Sequence, residues 1–520
     1  MKRVLLTLTP QQAADATQIT KAVAQEVSLP SQFLPAWHIV KRSVDARQRQ
    51  PKILLTIDVC TSAEEALLPP YEKPVYQDVS APDTPEVNII GMGPAGLFAA
   101  LTLLEHGIRP VIFERGKDVS ERKKDIARLN RNEGLEAESN YCFGEGGAGT
   151  FSDGKLFSRS SKRGNMQRVM ELFHYFGADD SVLYEAHAHI GSDKLPGIIR
   201  RMRETIQAHG GIIRFNTCIT HLDLSRPTIL AIGHSAHDTY RMLMEEGVCL
   251  EPKGMAMGVR VEHPQALIDR IMYHNSPLRA QGLLPAASYS LVTQVRNSFG
   301  QRGVYSFCMC PGGHIVPAAT DPESIVVNGM SASHRNSPFA NSGIVVELHP
   351  EDLSEHCSAL EWLAFQEQLE HLSWKHGACA AGQPDSAIAP AQRLDDFVLG
   401  RASEDLPKTS YLPGCRASRL DLWLPEIIGR SLQQGFTDFG KKYPGYLTHE
   451  AVILGVESRS SSAIRIPREP ETMAHPDHPN LYPAGEGAGY AGGITSSALD
   501  GIRAAEAIVR RKELSTTSPT

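Results

Sequence analysis

At 520 residues the chain exceeds what one hydrophobic core usually serves, so two or three domains and a large buried ligand are within reach. A formal charge of −7 excludes a global basic field of the kind that draws nucleic acid or an anionic membrane surface, leaving at most a local basic patch. The opening MKRVLLTLTP is too short an apolar run for a secretory core, and no stretch approaches a membrane span. With nine scattered cysteines and no Cys-x-x-Cys pair, the expectation is a soluble cytoplasmic chain, without membrane contact and without a metal centre.

Residues 1–66 read as a small α+β domain: a strand over 3–9, a helix over 11–27, and two strands around the charged turn of IVKRSVDARQRQPKILLTIDV. Lys41, Arg42, Arg47 and Arg49 make that turn locally cationic, either a solvated surface or a docking face for an electron donor or an RNA. Five prolines over 67–86 resist helix and ladder alike, so 67–85 is taken as a linker.

From residue 86 the pattern becomes strand, glycine-rich turn, helix, strand, as in a βαβ unit. In NIIGMGPAGLFAALTLLEHGIRPVIFERG, Gly91 permits the tight turn, Gly93 lets backbone approach a pyrophosphate, and Gly96 lets the helix sit close on the strand. The helix begins at Pro94 and Ala95 and aims unpaired N–H groups and a positive dipole at that pyrophosphate. Glu114, with Arg115 beside it, stands eighteen residues past Gly96, placed to accept ribose hydroxyls and to repel a 2′-phosphate.

FGEGGAGTFSDGKLFSR (143–159) follows, a loop bare enough to lie against a cofactor. A helix carrying Ile199, Met202 and Ile206 at helical spacing, and then a strand, extend the same α/β sheet across the segment 86–253. TILAIGHSAHDTY ends a strand at Gly233. His234 and His237 behind it suit proton transfer; the competing reading is a helix cap by Ser235 or Asp238.

Residues 254–445 change character: strands in MAMGVRVEH, SIVVNGM and GIVVEL alternate with loops and a helix over 351–374, consistent with an inserted α+β substrate domain. Within it, Cys308 and Cys310 read as two buried apolar residues, with a reactive thiol, or His314 as an acid, the alternative. Arg393 in PAQRL is a candidate anion ligand, as are Arg459 and Arg465 in GVESRSSSAIRI. Nucleotide-type pattern resumes in LYPAGEGAGYAGGITSSALDGIRAAEAI, so 446–511 is assigned to the first domain and 512–520 to a disordered tail.

The turn at 91–96, the strand before Gly233 and this late strand–glycine–acid–helix unit together resemble the FAD-binding folds of the glutathione-reductase and fumarate-reductase superfamily. FGEGGAGTFSDGKLFSR, SFCMCPGGHIVPAA, NGMSASHRNSPFANS, PAQRL and GVESRSSSAIRI narrow the resemblance to a bacterial family of FAD-dependent dehydrogenases with a small N-terminal domain, over nearly the whole chain. That resemblance implies a Rossmann-like α/β FAD-binding domain with a doubly wound sheet. Gly485 and Glu486 match the family's Gly-Asp at the ribityl–pyrophosphate region, with Glu in place of Asp. The helix from Gly492, Gly493 and Ile494 then points at the flavin pyrimidine, and Gly147, Gly149 and Lys155 line the isoalloxazine. It implies a flavoprotein and supplies no substrate. With the arginine candidates for an anion, the expectation is an FAD-dependent oxidoreductase acting by hydride transfer at N5 on an unidentified small organic substrate, anionic where those arginines bind it, with NAD(P)H or a protein as the candidate electron donor. The alternatives are a non-catalytic FAD-binding regulator whose N-terminal domain docks a partner, and an RNA-modifying flavoenzyme.

Overall fold

The computed structural model describes residues 2–28, 36–60, 71–157 and 164–517. Five parallel strands form the first sheet, in the order Leu481–Pro483, Thr228–Leu230, Glu86–Ile90, Arg109–Phe113, Ile212–Arg214. The central strand feeds the helix Pro94–Glu105, buried along its whole middle. A helix that is apolar all round must be covered on both sides. The sheet covers one side and the C-terminal helix Ile494–Thr517 crosses the other, so closely that a Cβ at Gly501 would run into Ala95 O.

The second sheet has seven strands, in the order Val292–Asn297, Gly300–Cys310, Phe339–Leu348, Met255–Pro264, Val452–Glu457, Ala389–Arg393, Cys415–Ala417. All its neighbours are antiparallel except the last pair. The helices Ala359–Trp374 and Glu426–Lys442 pack on it. Val452–Glu457, expected in the C-terminal part from 446 onward, instead lies inside this sheet. Every residue of VILGVE is buried, and such a strand needs neighbours on both edges and both faces.

Three other expected boundaries move for local reasons. The helix expected over 11–27 breaks before Asp15, whose carboxylate accepts from Thr17 N at 2.8 Å and starts Ala16–Val27 afresh. The helix expected from 351 starts at Ala359, because Ser358 and Glu361 form a reciprocal capping box. The tail expected from 512 is helical through Thr517.

The N-terminal module is a three-stranded antiparallel sheet, Lys2–Leu8, Lys52–Val59 and Trp37–Asp45, with Lys52–Val59 in the middle alternating buried and half-buried residues. It is joined to the rest by backbone: Arg42 N donates to Tyr184 O at 2.8 Å and Ala186 N to Arg42 O at 2.9 Å, while the Arg42 guanidinium pairs with Glu185 at 2.6 Å. Residues 71–85 of the proline-rich stretch have no helix or strand, yet they are strapped down. Gln77 N donates to Leu104 O, Val79 N to His209 O, and Arg109 reaches back to Val79 O; Val79 itself is buried. No helix among the described residues is long and apolar enough to cross a membrane.

Candidate cofactor site and its cavity

A cavity of about 2900 Å³ lies between the carboxyl ends of the parallel strands, the seven-stranded sheet and the N-terminal module. Ordinary ligand pockets run to roughly 300–1,000 Å³, so this one has room for a dinucleotide and a second molecule. Three parallel strands end on it, at Gly91, at Ala231 and just before Gly485, the crevice where open α/β sheets bind ligands.

The glycines of this wall fall into two kinds. At Gly91, with φ at +98°, an added Cβ would strike Ala231 O, and at Gly96 it would strike Gly91 O; these two close the turn against the protein itself. Gly93 is different, for its nearest neighbour to a Cβ is Gly147 Cα at 3.9 Å, and Gly233, Gly492 and Gly493 would meet nothing within 4 Å. All four open ones line the cavity. Two helices also begin there, at Pro94 and Ile494, presenting first-turn N–H groups with no intrahelical partner. Bare backbone beside two helix N-termini fits a pyrophosphate-bearing dinucleotide, and the donors are of the right chemistry for FAD.

Glu114 is buried beneath the turn. Its carboxylate accepts from Met92 N at 2.9 Å, Gly116 N at 2.9 Å and Gly144 N at 3.0 Å, tying strand end, turn and glycine loop together. Arg115 also faces the cavity, but its guanidinium is already held by Glu138 and Asp238 and stacks 4.2 Å over Phe143. Asp238 is therefore an ion-pair partner and not a helix cap, and Ser235 makes no side-chain cap either. Gly147, Gly149 and Lys155 of the loop line the cavity, as do Gly485 and Glu486; Arg159 lies outside the described residues.

Among the catalytic candidates, His234 is on the wall, its Nδ1 3.3 Å from Glu486 Oε2. His237 and Gly96 are not on the wall. His237 turns away to Glu367, 3.0 Å from Nδ1. Arg459 reaches the wall, yet its guanidinium is committed to Glu370, Nε at 3.0 Å and Nη2 at 2.8 Å, in an ion pair sealed from water. Its remaining nitrogen, Nη1, donates to Thr320 Oγ1 at 3.0 Å, so all three guanidinium nitrogens are engaged inside the protein. Arg393 is similarly held by Asp405, and Arg42 and Arg47 by Glu185 and Asp45.

Three features of the site depend on pairings that the sequence does not show. Arg122 is fully buried and its guanidinium donates to the carbonyls of Asn140, Tyr141, Glu145 and Gly147, pinning the glycine loop. Burial pushes it down to about 10, still charged at neutral pH. Asp500 accepts from Gly485 N at 2.8 Å and pairs with Arg468 at 2.7 Å, fixing the second glycine turn. Asp153 and Arg335 pair at 2.6 Å on the cavity wall. Burial raises the Asp153 carboxyl, but Arg335 and Lys155 outweigh it and hold the group below its usual range. His189 beside them is pushed down by burial and then by Arg335, which keeps the imidazole neutral. Only the amphipathic pattern around Arg122, a cation on the apolar face of 119–130, hinted at any of this.

Residues 254–460 match the model of the FAD-dependent protein, C-terminal domain-like family, a span that ends with the seven-stranded sheet, and residues 1–60 match a domain of unknown function, DUF8436. A protein of Clostridium beijerinckii, described as an uncharacterized protein, is 37% identical over 536 residues, covering 96% of this chain and 97% of its own. Among solved structures, a glycine oxidase from Geobacillus kaustophilus covers 82% of this chain and 95% of its own at 13% identity and a TM-score of 0.32. CtdE in complex with FAD covers 82% and 84% at 11% identity and a TM-score of 0.29, and overlays this loose align no individual residue. The chain belongs to the family of the Clostridium protein, and over residues 254–460 it matches the C-terminal domain of FAD-dependent proteins, whose cofactor the donors of the site fit.

Proposed function

We propose that the chain is an oxidoreductase that holds FAD along the glycine-lined wall of the cavity and acts on a small anionic organic molecule at the wall opposite. The observation that carries this reading is the set of four open glycines, Gly93, Gly233, Gly492 and Gly493, facing the cavity where two helices begin. In it, Gly91, Gly93, Pro94, Ala95 and the N-terminus at Ile494 hold the phosphates and pyrimidine, with Gly147, Gly149, Gly485 and Glu486 along the chain between them. Bound FAD supplies an isoalloxazine ring able to exchange hydride at N5.

The protein's own groups then divide the remaining work. His234, whose Nδ1 stands 3.3 Å from Glu486 Oε2 on the cavity wall, is the group assigned to move the proton. Neutral His189 and the Lys155 ammonium share the far wall with the Asp153–Arg335 pair, an environment that orients an anion. The N-terminal module contributes Arg49 and Lys52 to the lining of the same cavity, while Lys41, Arg47 and Arg49 remain exposed to solvent. The cavity itself, of about 2900 Å³, favours a small-molecule enzyme over RNA modification or partner docking.

Gly93→Val tests the reading. The protein has space for the first carbon of that side chain, so circular dichroism and thermal midpoint stay near those of the parent, while the purified variant is colourless. Stoichiometric FAD in a folded Gly93→Val protein would falsify the assigned turn.

A further inference from the structure

Two thiols near the end of the strand Gly300–Cys310 are placed in a way the cofactor site does not require. Phe307 pairs with Gly343 and Cys310 with Asn341, so Cys308 and Met309 together stand opposite the single Ser342. This is a bulge, and Cys308 within it has φ at +47°, a region that a residue with a side chain rarely occupies. The conformation is held by two cations on backbone oxygens. Arg260 donates to Cys308 O at 2.8 Å and Lys155 Nζ donates to Met309 O. Arg260 is itself fixed, buried, by Glu457 at 2.7 Å and by Asn341 at 2.8 Å. Strain kept in this way at a non-glycine residue persists only where the surroundings over-determine it.

The bulge changes what the two thiols can do. In an unbroken strand, Cα atoms two residues apart are separated by roughly 6.6 Å, at the far limit for a disulfide. Here Cys310 Sγ donates back to Cys308 O at 3.4 Å, with Cys310 fully buried and Cys308 on the cavity wall. The neighbouring Cys310 thiol, with Lys155 and Arg260, holds Cys308 below the usual thiol range against the opposing effect of burial, and Cys310 is raised. A nucleophilic thiol facing the ligand with a resolving thiol directly behind it is the arrangement for thiol–disulfide exchange.

We propose that Cys308 and Cys310 form a redox dithiol that reduces a disulfide substrate in the cavity. The Cys308 thiolate attacks one sulfur of the substrate, forming a mixed disulfide and expelling the first thiolate, which leaves with a proton from solvent. The Cys310 thiol then loses its proton and attacks the Cys308 sulfur, closing the Cys308–Cys310 disulfide and releasing the second thiol. One dithiol and one disulfide thus become one disulfide and two thiols, with two electrons passed to the substrate. Reset requires a two-electron reductant of the dihydroflavin class, and only that return rests on the FAD reading.

The test uses FAD-loaded protein in which the exposed Cys218, Cys249 and Cys379 are replaced by serine, with dithiodipyridine as the probe. About two equivalents of thiopyridone per chain are expected from the fast phase, and peptide mass mapping then shows Cys308 joined to Cys310. Cys310→Ser releases about one equivalent and retains a pyridyl adduct on Cys308, while Cys308→Ser loses the fast phase. A parent protein that stops at the Cys308 adduct, or leaves Cys308 unmodified, overturns the proposal whether or not the variants fold. Flavin absorbance of the same samples reports FAD binding separately, so failure of one reading is distinguishable from failure of the other.

Discussion

Along the parallel sheet the cavity wall is backbone, with open glycines and helix N-termini and few side chains to lose. Along the seven-stranded sheet it rests on charges paired inside the protein: Arg260–Glu457 at 2.7 Å, Arg459–Glu370 at 2.8 Å and Asp153–Arg335 at 2.6 Å, no carboxylate more than 2% exposed. The contrast teaches that the two walls fail differently. A side chain added to the first obstructs the ligand and leaves the fold alone, whereas a charge removed from the second strands its partner in a medium that cannot solvate it.

The sharpest way to break that contrast is Glu370→Gln. It leaves the Arg459 guanidinium buried without its counter-ion, a loss of about 3–5 kcal/mol of stability by chemical denaturation, with FAD content per folded molecule unchanged. A loss below about 1 kcal/mol would show that the second wall is no more dependent on its charges than a surface is.

A smaller effect comes from Glu262 on the neighbouring strand, whose carboxylate accepts from Ser410 N at 2.7 Å and Ser410 Oγ at 2.6 Å. Burial outweighs these bonds and pushes it from 4.5 up to about 7. The folded state therefore holds a proton that the unfolded state has released, and its contribution is present below about pH 4.5 and lost as pH rises through about 7. Stability should fall by up to ~3 kcal/mol across that window, and Glu262→Gln should flatten this part of the profile. An unchanged slope in the variant would remove Glu262 from the account.

Smallest in stability is Gly493→Ala on the first wall. With nothing within 4 Å of the added carbon, the thermal midpoint should move by the equivalent of less than about 1 kcal/mol while FAD binds more weakly in a fluorescence titration. The reverse pattern, a large stability loss with normal FAD affinity, would erase the distinction between the walls.

The βαβ turn at 88–116 and the late unit at 481–508 were legible from the residues alone. Each is built by neighbours in sequence, where strand, glycine turn and helix leave a periodic trace. Nearly every glycine named from that trace lies on the cavity, Gly96 excepted because it packs inward. Arg459 and His237 stand in the sequence as candidates for anion binding and proton transfer, and each is bound by a glutamate from the helix Ala359–Trp374, about ninety and one hundred and thirty residues away.

What the sequence determined by itself was the glycine-turn machinery and its two helix starts, because their physics is local: φ freedom, missing Cβ atoms and unpaired N–H groups. Tertiary structure alone decided that Val452–Glu457 belongs to the second sheet, that the N-terminal module closes the cavity, that Arg122 clamps the glycine loop, and that a bulge sets Cys308 before Cys310. Those outcomes depend on which distant strand supplies the next hydrogen bond and which buried charge finds its partner, and neither leaves a spacing in the chain.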